Sequence, residues 1–255
     1  MNTNNLFNLK GEKAIVTGGS RGLGASMAEA LLEAGAKVII IGSSNKIFET
    51  TKKFRNKNYD CHCIKANLIS REENYRAFNE AMELLDNELN ILCTVAGIQR
   101  RHQPEDFPIE DWDDVISINL NSVWIFNQEA GKVMLKEKQG KIINVASMLS
   151  FFGGTTVSAY AAAKGGVAQL TKALSNDWSS QGINVNAIAP GYMETEMNTA
   201  LLNNEERYSQ ITNRIPKKRW GSPDDMKGIT LFLASNASDY ITGAIIPVDG
   251  GYLVK

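Results

Sequence analysis

The sequence lacks any excess of charge of one sign. Its 255 residues include 27 basic and 28 acidic side chains, which gives a formal net charge of −1. Proteins that bind nucleic acid or lie on anionic membranes concentrate positive charge, so this balance argues against both kinds of partner. The sequence also has no apolar run of the roughly eighteen residues that a membrane-spanning helix requires. We therefore expect no nucleic-acid partner and no membrane segment.

Cysteine is scarce, and the three cysteines do not form a metal-binding pattern. Cys61 and Cys63 are too close together for a zinc-finger spacing, and no second cluster accompanies them. We expect reduced cysteines and no metal site, as in cytoplasmic proteins. The N-terminal stretch MNTNNLFNLKGEK is polar and lacks the apolar core of a signal peptide, which also predicts a cytoplasmic location.

What the sequence contains is a regular alternation of apolar, β-rich runs with segments of helical period. This alternation is typical of a parallel sheet covered by helices on both faces. We predict one α/β domain over residues 1–255, a doubly wound, Rossmann-like, seven-stranded parallel sheet flanked by helices. The predicted strands are 13–17, 37–41, 61–65, 91–95, 141–146, 183–189 and 244–248. The predicted helices are 23–34, 71–87, 112–137, 160–180 and 223–234. The long polar stretch 191–221 follows a strand end, and we interpret it as a substrate lid.

A glycine-rich turn follows the first predicted strand and opens an alanine-rich helix. Gly18, Gly22 and Gly24 would let the backbone approach a pyrophosphate at the helix N-terminus. The spacing is G-x-x-x-G-x-G, and glycines are also favoured in tight turns and close packing. The position after the first strand favours a dinucleotide site.

The acidic residue that usually holds the adenosine ribose of NAD is missing. No Asp or Glu occurs between Glu33 and Glu49, and the end of the second strand reads IIIGSSNK. Ser43, Ser44 and Asn45 would hydrogen-bond a ribose hydroxyl or a 2′-phosphate, and Arg21 and Lys46 would neutralise that phosphate. The two cations are equally well explained as solvated surface charges. The choice between NAD and NADP stays open at this point.

A tyrosine, a lysine and a serine form the predicted catalytic set. Tyr160 and Lys164 share one helical face, and Ser147 follows the fifth strand, at the ligand-binding edge of such sheets. A surface tyrosine packed on a lysine stem is the alternative. Hydride transfer to or from a carbonyl requires a proton donor or acceptor, and an ammonium about 4 Å from a phenol lowers its pKa by up to about 3 units. We therefore predict that Lys164 lowers the pKa of Tyr160 for acid–base catalysis, while Ser147 holds the substrate oxygen.

An arginine pair points to an anionic substrate. Arg100 and Arg101 directly follow the fourth strand, where a guanidinium can hold a carboxylate through two hydrogen bonds. The alternative is an exposed pair bridging to Glu105 or Asp106. We favour the binding role, with Arg101 as the substrate contact. Met148 would line the same pocket.

These motifs resemble those of the short-chain dehydrogenase/reductase family over the whole chain. TGGSRGLG at 17–24 resembles the family's cofactor loop, and Asn119 in SINLNS occupies a fourth catalytic position beside Ser147, Tyr160 and Lys164. APG at 189–191 with Thr195, and VDGG at 248–251, match segments near the nicotinamide and at the chain end. The expected cofactor contacts are Gly18, Ser20, Arg21, Gly22, Leu23, Gly24, Ser43, Ser44, Asn67, Leu68, Ala96, Gly97, Tyr160, Lys164, Pro190, Gly191 and Thr195. The expected substrate contacts are Arg101, Ser147, Met148 and Tyr160.

Two positions depart from the family pattern. TVAG at 94–97 replaces N-N-A-G, which would lose asparagine contacts that steady the central sheet. Asn67-Leu68 replaces Asp-Leu after the third strand, which changes the carboxylate expected beside the adenine into an amide.

The stretches AGIQRRH, GKIINVASMLSFFGG, NVNAIAPGYMETEM and RIPKKRWGSPDD resemble the sugar-acid branch of the family. That branch includes dehydrogenases of 2-dehydro-3-deoxy-D-gluconate and of gluconate. The resemblance implies a sugar-acid substrate in uronate breakdown, NAD(H) as cofactor with NADP(H) still open, and a homotetramer. The alternatives are a 3-oxoacyl or generic carbonyl reductase and, in another class, a non-catalytic nucleotide-sensing protein, against which the intact catalytic set argues.

Overall fold

Seven short strands form a single parallel sheet at the centre of the protein. The computed structural model describes residues 6–255. The sheet order is β3-β2-β1-β4-β5-β6-β7, which confirms the predicted doubly wound α/β fold. The order reverses between β1 and β4, and open sheets of this kind bind ligands beyond the strand ends at that point. The strands are β1 Lys13–Thr17, β2 Lys37–Gly42, β3 Cys61–Lys65, β4 Ile91–Thr94, β5 Gly140–Val145, β6 Ile183–Pro190 and β7 Ile245–Val248.

The strands form where the sequence has continuous runs of Val, Ile and Ala. Both faces of a parallel sheet are covered, so its strands are apolar throughout rather than alternating. In β2 the side chains alternate between two cores, because Ile40 packs in one apolar cluster and Ile39 and Ile41 pack in the other.

Nine α-helices cover the sheet within the described residues. Their bounds are α1 Gly22–Glu33, α2 Lys46–Arg55, α3 Arg71–Leu84, α4 Ile109–Ile116, α5 Ser122–Glu137, α6 Ser158–Trp178, α7 Thr199–Leu202, α8 Glu205–Arg214 and α9 Lys227–Ala234. Residues of α1, α2 and α9 enter one core, and residues of α3, α5 and α6 enter the other. None of the helices within residues 6–255 is long and apolar enough to cross a membrane.

Outside segment 191–221, the helices differ from the sequence prediction in three main places. Helix α2 was not predicted, because only Ile47, Thr51 and Phe54 of its ten residues are buried. The predicted helix 112–137 is interrupted by a π-helical turn at Ser117–Asn121. Helix α3 ends three residues early, before Asp86 and Asn87, which adopt left-handed backbone angles with φ of 56° and 60°.

The segment predicted as a lid is mostly helical and closes on itself. It carries α7 and α8, and its two ends meet in a parallel bridge between Met193 and Gly221. The Glu194 N–H donates to the Gly221 carbonyl at 2.8 Å, and the Gly221 N–H donates to the Tyr192 carbonyl at 2.9 Å. A small apolar cluster centred on Trp220 fixes the segment against the end of the sheet.

Candidate active site

A cavity of about 870 Å³ lies beyond the carboxyl ends of the strands. Residues that follow β1 to β6 line it, together with α6 and the helical segment 191–221. The predicted site residues in this lining are Gly18, Ser20, Arg21, Gly22, Leu23, Gly24, Ser43, Asn67, Leu68, Ala96, Gly97, Arg101, Ser147, Met148, Tyr160, Lys164, Pro190, Gly191 and Thr195. The fold therefore brings together residues from nearly the whole length of the chain.

The glycine turn forms a cradle that side chains would fill. Gly18 and Gly22 have φ of +70° and +54°, which favours glycine at both positions. A Cβ at Gly18 would lie 2.8 Å from the Ala96 backbone, and a Cβ at Gly24 would overlap the Gly18 carbonyl oxygen. Helix α1 begins at Gly22 without a side-chain cap and has no acidic residue in its first turn. Its N–H groups remain available to an anion, so the turn fits a dinucleotide pyrophosphate.

The end of β2 places Ser43 in the cavity and Ser44 outside its lining. Within residues 6–255, Ser44 Oγ is one of two buried side-chain polar atoms that have no hydrogen-bond partner. The sequence prediction grouped the two serines, but successive residues point in different directions where the strand ends. Ser43 is therefore the one of the two hydroxyl groups that lines the cavity.

Arg21 and Lys46 are paired with the same carboxylate. Arg21 Nη1 lies 2.7 Å from Glu196 Oε2, and Lys46 Nζ lies 2.8 Å from Glu196 Oε1. The hydrogen bond from Lys46 and the charge of Arg21 hold the pKa of the Glu196 carboxyl below its usual range. The two cations are neither free for a phosphate nor simply solvated.

Helix α6 places Tyr160 and Lys164 one turn apart beside the end of β5. Lys164 is buried, and its Nζ donates to the Val145 carbonyl at 2.6 Å. Its Nζ lies 5.7 Å from the centre of the Tyr160 ring. Burial lowers the pKa of Lys164 to about 8. The lysine is therefore still mostly protonated at pH 7, and its neutral form becomes substantial as the pH approaches 8.

The expected decrease in the pKa of Tyr160 is wrong for the protein without a ligand. Burial raises the pKa of Tyr160, while the hydrogen bond with Ser147 and the positive charge of Arg101 oppose that increase. Lys164 does not reach the phenol, because its ammonium is held by Val145. Tyr160 is consequently a protonated phenol at neutral pH, which is the form that donates a proton.

Ser147 is held in place where β5 ends. Its Oγ accepts a hydrogen bond from the Leu149 N–H at 3.1 Å. The Ser150 hydroxyl donates to the Lys164 carbonyl at 2.6 Å and thereby ties this turn to α6. Because the Ser147 Oγ accepts the local bond, its own proton can be directed at a substrate oxygen.

Asn119 lies behind the cavity wall and is not part of its lining. It is fully buried in the π-helical turn and makes two hydrogen bonds with Ile98: its Nδ2 donates to the carbonyl and its Oδ1 accepts from the N–H, both at 2.8 Å. A Cβ at Gly97 would lie 3.3 Å from Asn119 Oδ1 and 3.9 Å from Lys164 Nζ. Asn119 thus fixes the strand-β4 end of the cavity beside Lys164.

The two neighbouring arginines have different partners. Arg100 Nε donates to Asp111 at 3.1 Å, and His102 binds the same carboxylate at 2.6 Å, so both are engaged outside the cavity centre. Among the described residues 6–255, Arg101 donates only to Gln99, at 3.0 Å, and its charge acts on Tyr160. This geometry is consistent with Arg101, rather than Arg100, as the substrate contact.

Several lining residues were missed by sequence reasoning. Arg207 and Arg214 of α8 face the cavity, and Arg214 lies over the Tyr252 ring at 4.2 Å. Tyr192 and Phe152 line the same end. Their residue types carry no motif, and the packing of 191–221 brings Tyr192, Arg207 and Arg214 into the same cavity as Ser147. The one sequence feature that could have indicated this end of the cavity is the VDGG motif at 248–251, which directly precedes Tyr252.

The described residues contain no group of three or more His, Cys, Asp or Glu side chains that could hold a metal ion. The three cysteines are unpaired thiols, and burial raises the pKa of Cys61 and of Cys93 to about 12. The chemistry of the cavity therefore depends on the hydroxyl groups, the lysine and the guanidinium groups.

Residues 18–253 match a family model described as enoyl-(acyl carrier protein) reductase, which belongs to the short-chain dehydrogenase/reductases. The chain is a member of the short-chain dehydrogenase/reductase family. It is accordingly an oxidoreductase of CH–OH groups that uses a nicotinamide dinucleotide.

Relatives over the full chain are named for sugar acids. The chain is 44% identical to 2-dehydro-3-deoxy-D-gluconate 5-dehydrogenase of Bacillus subtilis (strain 168), covering 98% of this chain and 97% of the relative. It is 34% identical to gluconate 5-dehydrogenase of Gluconobacter oxydans (strain 621H), covering 98% of both. The crystal structure of a gluconate 5-dehydrogenase from Burkholderia cenocepacia J2315 in complex with NADP and tartrate superposes with a TM-score of 0.93, at 35% identity and 98% coverage of both chains.

One departure from the short-chain dehydrogenase/reductase pattern is compensated in the core. Thr94 stands where the family has asparagine, and its hydroxyl donates to Asn144 Oδ1 at 2.7 Å. Asn144 also exchanges hydrogen bonds with Asn127 and donates to Thr171 at 3.0 Å. The central sheet is thus joined to α5 and α6 by a buried polar network, in place of the contacts we expected to be lost.

Proposed function

We propose that this protein interconverts a keto and a secondary hydroxyl group on a sugar acid, with 2-dehydro-3-deoxy-D-gluconate as substrate, in uronate breakdown. The observation that supports this most directly is the pairing of Arg101 with Tyr160 in one cavity, which puts a guanidinium beside a proton-donating phenol. A sugar acid carries both a carboxylate and the reacting oxygen. The names of the full-length relatives support the same substrate class.

The residues of the cavity support the reduction of a ketone through proton donation. A bound reduced nicotinamide supplies the hydride that adds to the carbonyl carbon. The Tyr160 hydroxyl gives its proton to the carbonyl oxygen, which completes the secondary alcohol. The Ser147 hydroxyl donates a hydrogen bond to the same oxygen and stabilises the negative charge that develops on it.

Lys164 acts on Tyr160 after the phenol has given up its proton. With a pKa of about 8, the ammonium and its neutral form are both accessible near neutral pH. The positive charge of the ammonium, 5.7 Å from the centre of the ring, would then stabilise the phenolate without a direct hydrogen bond. In the oxidation direction the same groups exchange the proton in reverse.

Three guanidinium groups give the substrate end its affinity for anions. The charge of Arg101 acts on the phenol, whereas Arg207 and Arg214 line the cavity from α8. Arg214 is held over Tyr252 and Phe152 by cation–π contacts at 4.2 and 5.9 Å. We propose that Arg101 binds the carboxylate and that the α8 arginines attract the substrate into the cavity.

We propose NAD(H) as the preferred cofactor. Gly18, Gly22 and Gly24 would hold the pyrophosphate, and Ser43 would hydrogen-bond the ribose. Asn67 would contact the adenine end, and Pro190, Gly191 and Thr195 would contact the nicotinamide end. Related crystal structures contain NADP, so NADP(H) is the alternative that a binding measurement must decide.

The helical segment 191–221 acts as the substrate lid in this proposal, since it supplies one wall of the cavity. We also propose a homotetramer assembled through α4, α5 and α6, as the family resemblance implies. The three unpaired thiols support a cytoplasmic location, which we also propose.

Steady-state turnover tests the function. We expect the purified protein to reduce or oxidise 2-dehydro-3-deoxy-D-gluconate or its 5-keto product, with gluconate as a weaker substrate. Tyr160→Phe should lower kcat by at least about 100-fold while dinucleotide binding persists. Arg101→Ala should raise KM for the sugar acid by about 10-fold or more, because a charge-assisted bidentate contact is lost.

The alternatives give different results in the same assays. A 3-oxoacyl or generic carbonyl reductase would reduce an acyl thioester or a neutral ketone and be indifferent to Arg101→Ala. A nucleotide-sensing protein would bind the dinucleotide and turn over no substrate. Absence of turnover on any sugar acid would overturn the substrate assignment.

A further inference from the structure

The carboxylate of Glu196 joins two cations from different elements. Glu196 begins the short helical turn after Thr195, and each of its oxygens pairs with a different residue, Arg21 at 2.7 Å and Lys46 at 2.8 Å. Within residues 6–255, neither cation has another carboxylate within 4.0 Å. The pair therefore depends on Glu196 alone for its neutralisation.

The two cations lie where a dinucleotide carries its distinguishing group. Arg21 directly precedes α1 in the glycine turn, and Lys46 begins α2 just after Ser43 and Ser44. The end of the second strand is where folds of this kind hold the adenosine ribose, and NADP bears its additional phosphate on that ribose. Arginine and lysine are the side chains that bind such a phosphate. The positions of both cations thus match the 2′-phosphate.

We propose that Glu196 sets the cofactor preference by occupying, with its own carboxylate, the two cations that would otherwise bind the 2′-phosphate of NADP(H). This inference rests on the proposed dinucleotide-dependent function. The absence of any Asp or Glu between Glu33 and Glu49 means that selection against NADP is not made on the second strand. Glu196 selects against NADP instead, although it lies in segment 191–221 and is far from the second strand in the sequence.

Binding of NADPH requires the displacement of this carboxylate. Two anions cannot share Arg21 and Lys46 without repulsion, so the phosphate must move Glu196 away. Glu196 follows Thr195, whose Cγ2 would lie 3.7 Å from a Cβ at Gly22, so moving Glu196 also loosens the lid from the glycine turn. NADH carries no group that competes for the cations and leaves the contact intact.

A fluorescence titration of both reduced cofactors tests the inference. In Glu196→Gln we expect the Kd for NADPH to fall by about 5- to 10-fold, while the Kd for NADH changes by less than about 2-fold. Glu194→Gln is the matched control, because Glu194 is exposed, lies two residues away and has the same charge, but pairs with neither cation within the described residues. We expect this control to leave the ratio of the two constants unchanged.

A double variant identifies the cations as the cause. Adding Arg21→Gln to Glu196→Gln should abolish most of the gain in NADPH affinity, since the phosphate then loses one of its two partners. Hydrogen exchange gives a second readout: in Glu196→Gln with NADH bound, amides 196–202 should exchange faster than in the unmodified protein.

The outcomes separate this inference from the proposed function. If neither reduced cofactor binds to the unmodified protein, the dinucleotide-dependent function itself is wrong. If both bind and Glu196→Gln leaves their ratio unchanged, the function stands and the role of Glu196 is refuted. An equal gain in Glu194→Gln would show a general charge effect and would likewise overturn the role of Glu196.

Discussion

Lys164 carries its amino group into a site where only 2% of the residue is exposed. A charge in such surroundings is costly, and burial accordingly lowers its pKa from 10.5 to about 8. The hydrogen bond to the Val145 carbonyl satisfies the group without compensating its charge. The site therefore retains a lysine that opposes folding at neutral pH because its proton is needed beside Tyr160.

This burial predicts a specific dependence of stability on pH. Between about pH 8 and pH 10.5 the unfolded chain binds a proton that the folded Lys164 has lost, so the free energy of unfolding should rise with pH across that window. The full contribution is about 3 kcal/mol, and below pH 8 it is a constant destabilisation. Lys164→Met should remove this rise, as measured by urea denaturation near pH 7 and pH 10.

Lys172→Met is the matched control, because Lys172 is exposed on the same helix. It should retain the pH dependence of the unmodified protein. If the free energy of unfolding rose equally with pH in Lys164→Met and in the unmodified protein, the result would show that Lys164 titrates normally in the fold.

At the scale of single residues, the sequence predicts which residues form the site better than it predicts which groups surround them. The spacing of Tyr160 and Lys164 correctly places both on one helical face, but it contains nothing about Val145, which takes the ammonium away from the phenol. The pairing of Glu196 with Lys46 spans 150 positions, and no local pattern indicates such a contact.

The π-helical turn at Ser117–Asn121 is an irregular element with a defined task. Its extra residue turns Asn119 inward, so that one amide side chain satisfies both backbone groups of Ile98. Such turns occur frequently at functional sites. Here the turn holds the strand-β4 end of the cavity at a fixed distance from Lys164.

We expect Asn119→Ala to lower kcat by about 10-fold or more while KM and the Kd for the dinucleotide change little, because the cavity wall shifts relative to the phenol. The loss of two buried hydrogen bonds should also lower the free energy of unfolding by about 2 kcal/mol. Steady-state kinetics and urea denaturation measure the two effects. Asn121→Ala in the same turn is the control, and an unchanged kcat in Asn119→Ala would remove the positioning role.

Elements with strong apolar patterns were predictable and polar ones were not. The seven strands agree with the sequence prediction to within about one residue at most ends, because each is a short apolar run bounded by polar residues. Helix α2, KIFETTKKFR, buries only three side chains and was missed, although Ile47, Thr51 and Phe54 follow a helical period. The helices of 191–221 were missed for the same reason.

On the surface of the whole molecule, some large apolar side chains remain exposed to solvent in a single chain. Trp124 on α5 is 42% exposed, and Ile109 at the start of α4 is 63% exposed. Large exposed apolar groups on neighbouring helices are characteristic of contact surfaces between subunits. Trp124 and Ile109 both lie on the helices through which we propose that the subunits assemble.

We expect light scattering of the purified protein to give a mass of about 112 kDa, four times the 28.0 kDa of one chain. Trp124→Glu should reduce this mass, since it places a charge in the proposed contact. Phe48→Glu changes an exposed aromatic residue on α2 and should leave the mass unchanged. A monomer under all conditions would contradict the assembly.

The overall architecture was the most predictable property of the molecule. Alternation of strand and helix, together with right-handed crossovers, leaves few possible topologies for seven parallel strands. The site at their carboxyl ends follows from that topology. The substrate end does not, because Arg214 and Tyr252 meet only through the packing of 191–221.

The bridge between Met193 and Gly221 brings the two ends of segment 191–221 together. Because the segment leaves the sheet and returns to it at one place, its length and composition can change while β6 and β7 keep their register. A graft of residues 194–220 from a relative would therefore replace the wall that carries Arg207 and Arg214, while Arg101 and the catalytic hydroxyl groups stay in place.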